Sequence, residues 1–273
     1  MRTESVQNLV KQALIEDIGS GDITSALTID HNHNSSFSII AKQDFILCGV
    51  EFILQSFQQV NQDIEIKLHF KDGDYISKSD IILEGTGNSC AILSAERVAL
   101  NFLQYLSAIS TITNSYVKLV KEYGCEILDT RKTLPLYREA AKYAVLVGGG
   151  KNHRMGLYDQ ILIKDNHIIA SGGIAKAIKK CTNSKLIIEA ECETLAQVSE
   201  ALSCPPDIIM LDNMDIDTMK KAINLINNRC KIEVSGNISL DNITKIAKLG
   251  VDYISVGKIT HSVMAIDVSL EIL

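Results

Sequence analysis

Residues 185–213 read KLIIEAECETLAQVSEALSCPPDIIMLDN. Two short apolar runs, LIIEAE and DIIML, flank a segment, 194–203, whose apolar residues fall at helical spacing. This is a strand, a helix and a strand, and the rhythm extends in both directions. Upstream lie EILD from residue 126 and ILIK from 161; downstream lie IEVS from 232 and YISVG from 253, with amphipathic helices over 216–228 and 239–249. Alternating strands and helices imply a parallel sheet with right-handed crossovers. The six units follow one another from Cys125 onward. A complete eight-unit barrel takes about 250 residues, so the spacing predicts a smaller or incomplete barrel.

The first part of the chain is different. Val6, Leu9, Val10, Ala13 and Leu14 have helical spacing, SFSIIAKQ and IEIKLHF read as strands, and KDGD as a turn. AILSAERVALNFLQYL is a strong helix that should extend to about Glu122. The expected division is an α+β domain over 1–108 and a barrel over 109–264.

Composition narrows the class. Of 273 residues 46% are hydrophobic, enough for a sizeable core, and the net charge of −6 argues against nucleic acid as a partner. No apolar export signal is visible, and the uncharged stretch Val98–Val117 carries Asn101, Gln104 and Asn114, so a core helix is expected rather than a membrane span. Seven scattered cysteines without a C-x-x-C pair fit reduced thiols in a cytoplasm.

In parallel α/β folds ligands bind at the carboxyl ends of the strands. Those ends read Asp129-Thr130-Arg131-Lys132, Lys164-Asp165, Glu189 with Glu191, Asp212-Asn213, Ser235-Gly236-Asn237, and Ser255 with Gly257. The stretch 129–167 holds seven cations and four acids, which leaves −9 on the rest of this acidic chain. Cations gathered at a strand-end mouth point to a small polyanion. Arg131, Lys132, Arg154 and Lys164 are the candidates, with Lys164 read as a functional cation rather than a partner of Asp165. Arg138 and Lys142 read as the solvated face of a helix. Glu189 and Glu191, two apart on one strand face, form with Asp212 a carboxylate cluster suited to Mg²⁺, the alternative being salt bridges to nearby lysines. SGN at 235–237 and SVG at 255–257 are glycine turns that could cradle phosphate. His153 is expected to donate a hydrogen bond to an anion.

EDIGSGDITS, ERVALNFLQYLSAIST, DTRKT, GGGKNHRMGLYDQILIKDNH, IEAE, MLDNM, SGNIS and ISVGKITHS occur in this order along nearly the whole chain. Together they resemble the quinolinate phosphoribosyltransferase family. That resemblance implies an N-terminal α+β sandwich domain, rejoined by the tail 265–273, and an open six-stranded (β/α) barrel of the type II phosphoribosyltransferase kind. It implies transfer of phosphoribose from phosphoribosyl pyrophosphate to quinolinate with decarboxylation, using Mg²⁺, in a cytoplasmic homodimer with shared active sites or a larger assembly.

By the same resemblance Arg131, Lys132, His153, Arg154 and Lys164 hold quinolinate, with Thr130 beside them. Arg97 reaches the neighbouring subunit's site. Glu191 and Asp212 attend the ribose and the metal, and with Lys132 form the catalytic set. Ser235, Gly236, Asn237, Ser255, Val256 and Gly257 are the phosphate loops. Leu134-Pro135-Leu136-Tyr137 and Lys258 depart from the family pattern. A molybdenum-transport-associated barrel transferase, a nicotinate phosphoribosyltransferase or a Schiff-base aldolase using Lys164 are the competing readings.

Overall fold

The computed structural model describes residues 3–273. Its strands are β1 (Asn34–Ala41), β2 (Phe45–Ile46), β3 (Glu65–Leu68), β4 (Tyr75–Ile76), β5 (Ile81–Asn88), β6 (Glu126–Leu128), β7 (Ile161–Ile163), β8 (Ile188–Cys192), β9 (Ile208–Asp212), β10 (Lys231–Ser235), β11 (Tyr253–Ser255) and β12 (Val268–Ile272). The helices are α1 (Thr3–Ile18), α2 (Ile23–Thr28), α3 (Val50–Val60), α4 (Ser89–Val120), α5 (Arg138–Val147), α6 (Asp165–Ser171), α7 (Ile174–Cys181), α8 (Leu195–Ala201), α9 (Ile216–Ile226), α10 (Ile243–Ala247) and α11 (Lys258–His261). Two compact units result: residues up to Asn114 with Glu139–Gly149 and Ser262–Leu273, and Ser115–Arg138 with Gly150–His261.

The first unit carries an antiparallel sheet in the order β12-β1-β5-β3. Phe37 and Ile39, two apart on β1, face the core because strand side chains alternate. They meet Phe57 of α3, Leu83 of β5, Ile92 of α4 and Val268 of β12, and the Phe37 and Phe57 rings lie 5.1 Å apart. Helix α5 belongs to this unit rather than to the barrel segment the sequence suggested. Lys142 on α5 is only 1% exposed, so the expected solvated face is wrong for that residue. Gly148 just beyond α5 sits against α4: a Cβ there would come within 2.5 Å of the Ser110 carbonyl oxygen.

The second unit is a six-stranded parallel sheet in the order β6-β11-β10-β9-β8-β7. The six strands read from the sequence are its six strands. Consecutive strands β7 to β11 are neighbours, and β11 pairs back onto β6 through Tyr253 opposite Glu126 and Ser255 opposite Leu128. The barrel is therefore open between its first and second strands. Along that open edge Lys151 forms a one-residue parallel bridge to Leu128. Its N–H donates to the Ile127 carbonyl at 2.8 Å, and its carbonyl accepts from Asp129 N–H at 3.2 Å. The segment that begins at Lys151 and carries His153 and Arg154 is thus pinned beside β6.

All five residues of β8 are buried, as expected of a parallel strand covered on both faces. Capping fixes where the crossover helices start. The Thr194 hydroxyl accepts from Gln197 N–H at 3.2 Å to open α8, and the Asp215 carboxylate accepts from Thr218 N–H at 2.7 Å to open α9. No helix among the described residues is long and apolar enough to cross a membrane.

Candidate active site

The carboxyl ends of the barrel strands enclose a cavity of about 680 Å³. Thr130, Arg131 and Lys132 enter it after β6, His153 and Arg154 from the segment beside β6, and Lys164 and Asp165 after β7. Glu191, Asp212, Ser235, Gly236, Asn237 and Ser255 complete the wall from β8 to β11. Leu162 and Met210 also line it and were not anticipated as site residues, and so does Asn213, named only among the strand ends. Four anticipated residues do not line the cavity: Glu189, described below, and three others. Arg97 belongs to the other unit. Val256 is buried, with its N–H donating to the Leu128 carbonyl at 2.9 Å. Gly257 stands where a Cβ would approach Lys132 Cδ at 3.3 Å, so its smallness leaves room for that lysine.

The cations are held differently from one another. Arg131 Nε is buried without a hydrogen-bond partner, an unusual state for a guanidinium outside a binding site. Arg154 is 8% exposed and donates through Nη1 to the Gln160 carbonyl at 3.3 Å. Burial, then the neighbouring Arg131 charge, pushes its pKa below the ordinary arginine value. Lys132 is exposed, its backbone fixed by the Thr260 hydroxyl donating to its carbonyl at 2.8 Å. Lys164 forms an ion pair with Glu191. It is therefore a salt-bridge partner after all, though of Glu191 and not of Asp165. A charged, ion-paired amine is also poorly suited to Schiff-base chemistry, which needs the free base.

The expected trio Glu189, Glu191 and Asp212 is divided by depth. Glu191 and Asp212 come together with Glu193, their candidate ligand oxygens within 4.8 Å of one another. Glu189, on the same strand face, lies one step deeper and is fully buried. There it accepts from Gln160 Nε2 at 2.7 Å and from His153 Nε2 at 3.0 Å. The anion to which His153 donates is thus a carboxylate of the protein itself. Burial pushes the Glu189 carboxyl up to about 7 and that of Glu233, next to it on β10, up to about 8.

The turn after β10 has a steric logic. Gly236 has φ +90°, and a Cβ there would lie 2.2 Å from Asn213 Oδ1. Asn213 and Asn237 are themselves left-handed, at φ 54° and 53°, which asparagine tolerates best after glycine. Asn237 Nδ2 donates to Asn213 Oδ1 at 3.0 Å, and Asn213 Nδ2 to Asp212 Oδ2 at 2.5 Å, a chain that orients Asp212. The second phosphate turn is less open than expected. The Ser255 hydroxyl donates to Glu233 Oε1 at 2.5 Å, so neither it nor the Val256 N–H is available to a phosphate. All seven cysteines are free thiols. Burial pushes Cys125 and Cys192 up to about 12, which rules them out as nucleophiles at neutral pH.

A parallel open barrel with cations along one side of its mouth and paired carboxylates across it defines an enzyme that binds small polyanions. Residues 22–107 match the N-terminal domain of quinolinate phosphoribosyl transferase and residues 109–271 its C-terminal domain. The chain belongs to the quinolinate phosphoribosyltransferase family. It is 41% identical over 98% of its length to a probable nicotinate-nucleotide pyrophosphorylase (carboxylating) of Bacillus subtilis, covering 93% of that protein. Identity is also 41% to the chloroplastic enzyme of that name from Arabidopsis thaliana, over 99% of this chain and 83% of that one. The solved structure of the nicotinate-nucleotide pyrophosphorylase from Francisella tularensis superposes with a TM-score of 0.95 at 42% identity, covering 100% of this chain and 98% of that one.

Proposed function

We propose that this protein transfers phosphoribose from phosphoribosyl pyrophosphate to quinolinate and decarboxylates the product, giving nicotinate mononucleotide, pyrophosphate and CO₂ for NAD synthesis. The observation that carries this reading is the juxtaposition of Arg131, Lys132, Arg154 and Lys164 with Glu191 and Asp212 around one cavity. Quinolinate is a dianion, and the unpartnered Arg131 Nε with its three neighbours suits two carboxylates. Its ring nitrogen forms a bond to the anomeric carbon as the bond to pyrophosphate breaks. The charge that develops on the ribose is positive, and the Glu191 and Asp212 carboxylates on the cavity wall would stabilise it. When the adjacent carboxylate leaves as CO₂, the electron pair of the broken bond stays on the ring carbon, where the quaternised nitrogen's positive charge stabilises it until a proton takes it up to form the C–H bond. Positioning and electrostatics dominate, with little acid–base work.

Glu191, Glu193 and Asp212 offer only oxygen ligands, the donor set Mg²⁺ prefers. When bound there the ion would neutralise the leaving pyrophosphate. Lys164 already places one positive charge on Glu191, so substrate carboxylates and metal would compete to separate that pair. We further propose a cytoplasmic homodimer in which Arg97 completes the partner's site, with residues 109–264 carrying the chemistry.

Purified protein supplied with quinolinate, phosphoribosyl pyrophosphate and Mg²⁺ should release CO₂ and mononucleotide in equal amounts. Nicotinate, with one carboxylate, should be a poor substitute. Comparable turnover of nicotinate would overturn the reading.

A further inference from the structure

Glu189 and Glu233 do not line the cavity. Both are fully buried on neighbouring sides of the barrel interior, and their oxygens and the His153 ring nitrogen gather within 4.8 Å. Counting hydrogens shows how they are held. His153 Nδ1 accepts from Arg154 N–H at 2.7 Å, so that nitrogen carries no proton. The neutral ring then has its N–H on Nε2, directed at Glu189 Oε2. Gln160 donates to the same oxygen, and Ser255 donates to Glu233 Oε1. One oxygen on each carboxyl, Glu189 Oε1 and Glu233 Oε2, is left buried without a donor. Two buried orphan acceptors are costly, and a single proton between them satisfies both. A metal ion in the same place would need a lone pair on Nε2, which the hydrogen bond at Nδ1 denies it.

We propose that Glu233 is a positioning residue for the quinolinate pocket: it presents a hydrogen to Glu189, which leaves Glu189 free to anchor the Nε2–H of His153 and so fixes Arg154 in the cavity wall. The link runs through the ring, because Arg154 N–H is bonded to the other nitrogen of the same imidazole. Asp129 supports the arrangement from beneath, its Oδ1 accepting from His153 N–H at 3.0 Å. This inference rests on the quinolinate reading only for the identity of the ligand.

The test compares Glu233→Gln with Glu233→Leu. A glutamine amide donates to Glu189 permanently and its carbonyl still accepts from Ser255, so Glu233→Gln should stay within about threefold of the wild type. Leucine fills the space without a donor. It should raise KM for quinolinate about tenfold, with KM for phosphoribosyl pyrophosphate and kcat changed far less. A second readout needs no turnover. Long-range ¹H–¹⁵N spectra of histidine-labelled protein should show His153 as the neutral Nε2–H tautomer in wild type and Glu233→Gln, with that tautomer lost in Glu233→Leu. Failure of the wild type to turn over quinolinate would refute the functional reading while the spectra still decide this one. A charged or Nδ1–H ring in the wild type, or a Glu233→Gln enzyme as impaired as Glu233→Leu, would overturn the proposal. If the leucine variant does not fold, the wild-type and glutamine spectra decide alone.

Discussion

Truncating Lys164 to alanine separates two effects that a single ammonium exerts. Without substrate, Lys164 is ion-paired with Glu191, its side chain 44% exposed while that of Glu191 is 10% exposed. The pair is half solvated, so its direct contribution should be about 0.5–1 kcal/mol. Its loss leaves Glu191 beside Asp212 and Glu193 without its ion-pair partner, which adds to the cost. For a protein of this size about 1 kcal/mol corresponds to a fall of about 2–4 °C in Tm. Like-charge relief from Arg131, Lys132 and Arg154 alone would predict an unchanged or higher Tm, but the Glu191 contact reverses that expectation. With substrate, the loss is a charge-assisted hydrogen bond to a carboxylate, about 1.5–3 kcal/mol. The resulting fall in kcat/KM is about 10- to 150-fold. Calorimetry and initial rates on one preparation measure both quantities. Mg²⁺ should restore more of the lost Tm in Lys164→Ala than it adds to the wild type, because it replaces the missing positive charge. A Tm that holds or rises would refute the assignment of Glu191 as the lysine's resting partner.

Other outcomes follow from the same geometry. Asp212→Asn should raise the Mg²⁺ concentration for half-maximal rate by about tenfold or more, since it removes one anionic ligand; an unchanged metal titration would count against that ligand set. Glu233 has its carboxyl pushed from 4.5 up to about 8 by burial and the neighbouring Glu189, so the folded state binds this proton more tightly than the unfolded chain. Stability should accordingly be fully present below pH 4.5 as far as this group is concerned and decline as pH rises towards about 8. Thermal melts across pH 5–9 should show the decline, with a shallower slope in Glu233→Gln. Gly236→Ala places a methyl 2.2 Å from Asn213 Oδ1, which should disturb Asp212 and cost at least about tenfold in kcat/KM at a Tm within a few degrees of wild type. Mixing inactive Arg97→Ala with inactive Lys132→Ala under subunit exchange should regenerate one intact site per mixed dimer; no recovery despite proven exchange would speak against a shared site.

Much of the barrel was legible because its strands are short apolar runs ended by polar residues, and burial on both faces leaves no other use for such runs. Strand β5 was not named in advance. Gly85 and Gly87 interrupt its pattern, and they are there because Cβ atoms would strike Phe37 Cε1 at 2.5 Å and Ile64 Cγ1 at 2.8 Å, contacts no local reading reveals. The site divided along a similar line. Period-two spacing correctly put Glu189 and Glu191 on one face but carries no information on depth, and depth decides which of them meets the cavity. Lys142 looked solvated because a lysine on an amphipathic helix usually is; its burial depends on tertiary neighbours. The engagement of the Ser255 hydroxyl by Glu233, 22 residues earlier, is equally non-local.

The strand order has a bearing on how the polypeptide is made. Among the described strands, β6 pairs with β11, more than a hundred residues later, and β1 gains its outer neighbour from β12. The parallel sheet therefore cannot be completed until β11, ending at Ser255, has left the ribosome, and the antiparallel sheet not until β12, ending at Ile272. At a synthesis rate of about 5–20 residues per second the nascent chain carries an unpaired β6 edge for several seconds, while β7 to β10 are already able to zip together in order. Such high contact order predicts slow final closure, an interval in which chaperone capture competes with misassociation. It also predicts that a stop codon between β10 and β11 would leave two unfinished sheets rather than one finished unit and one damaged one.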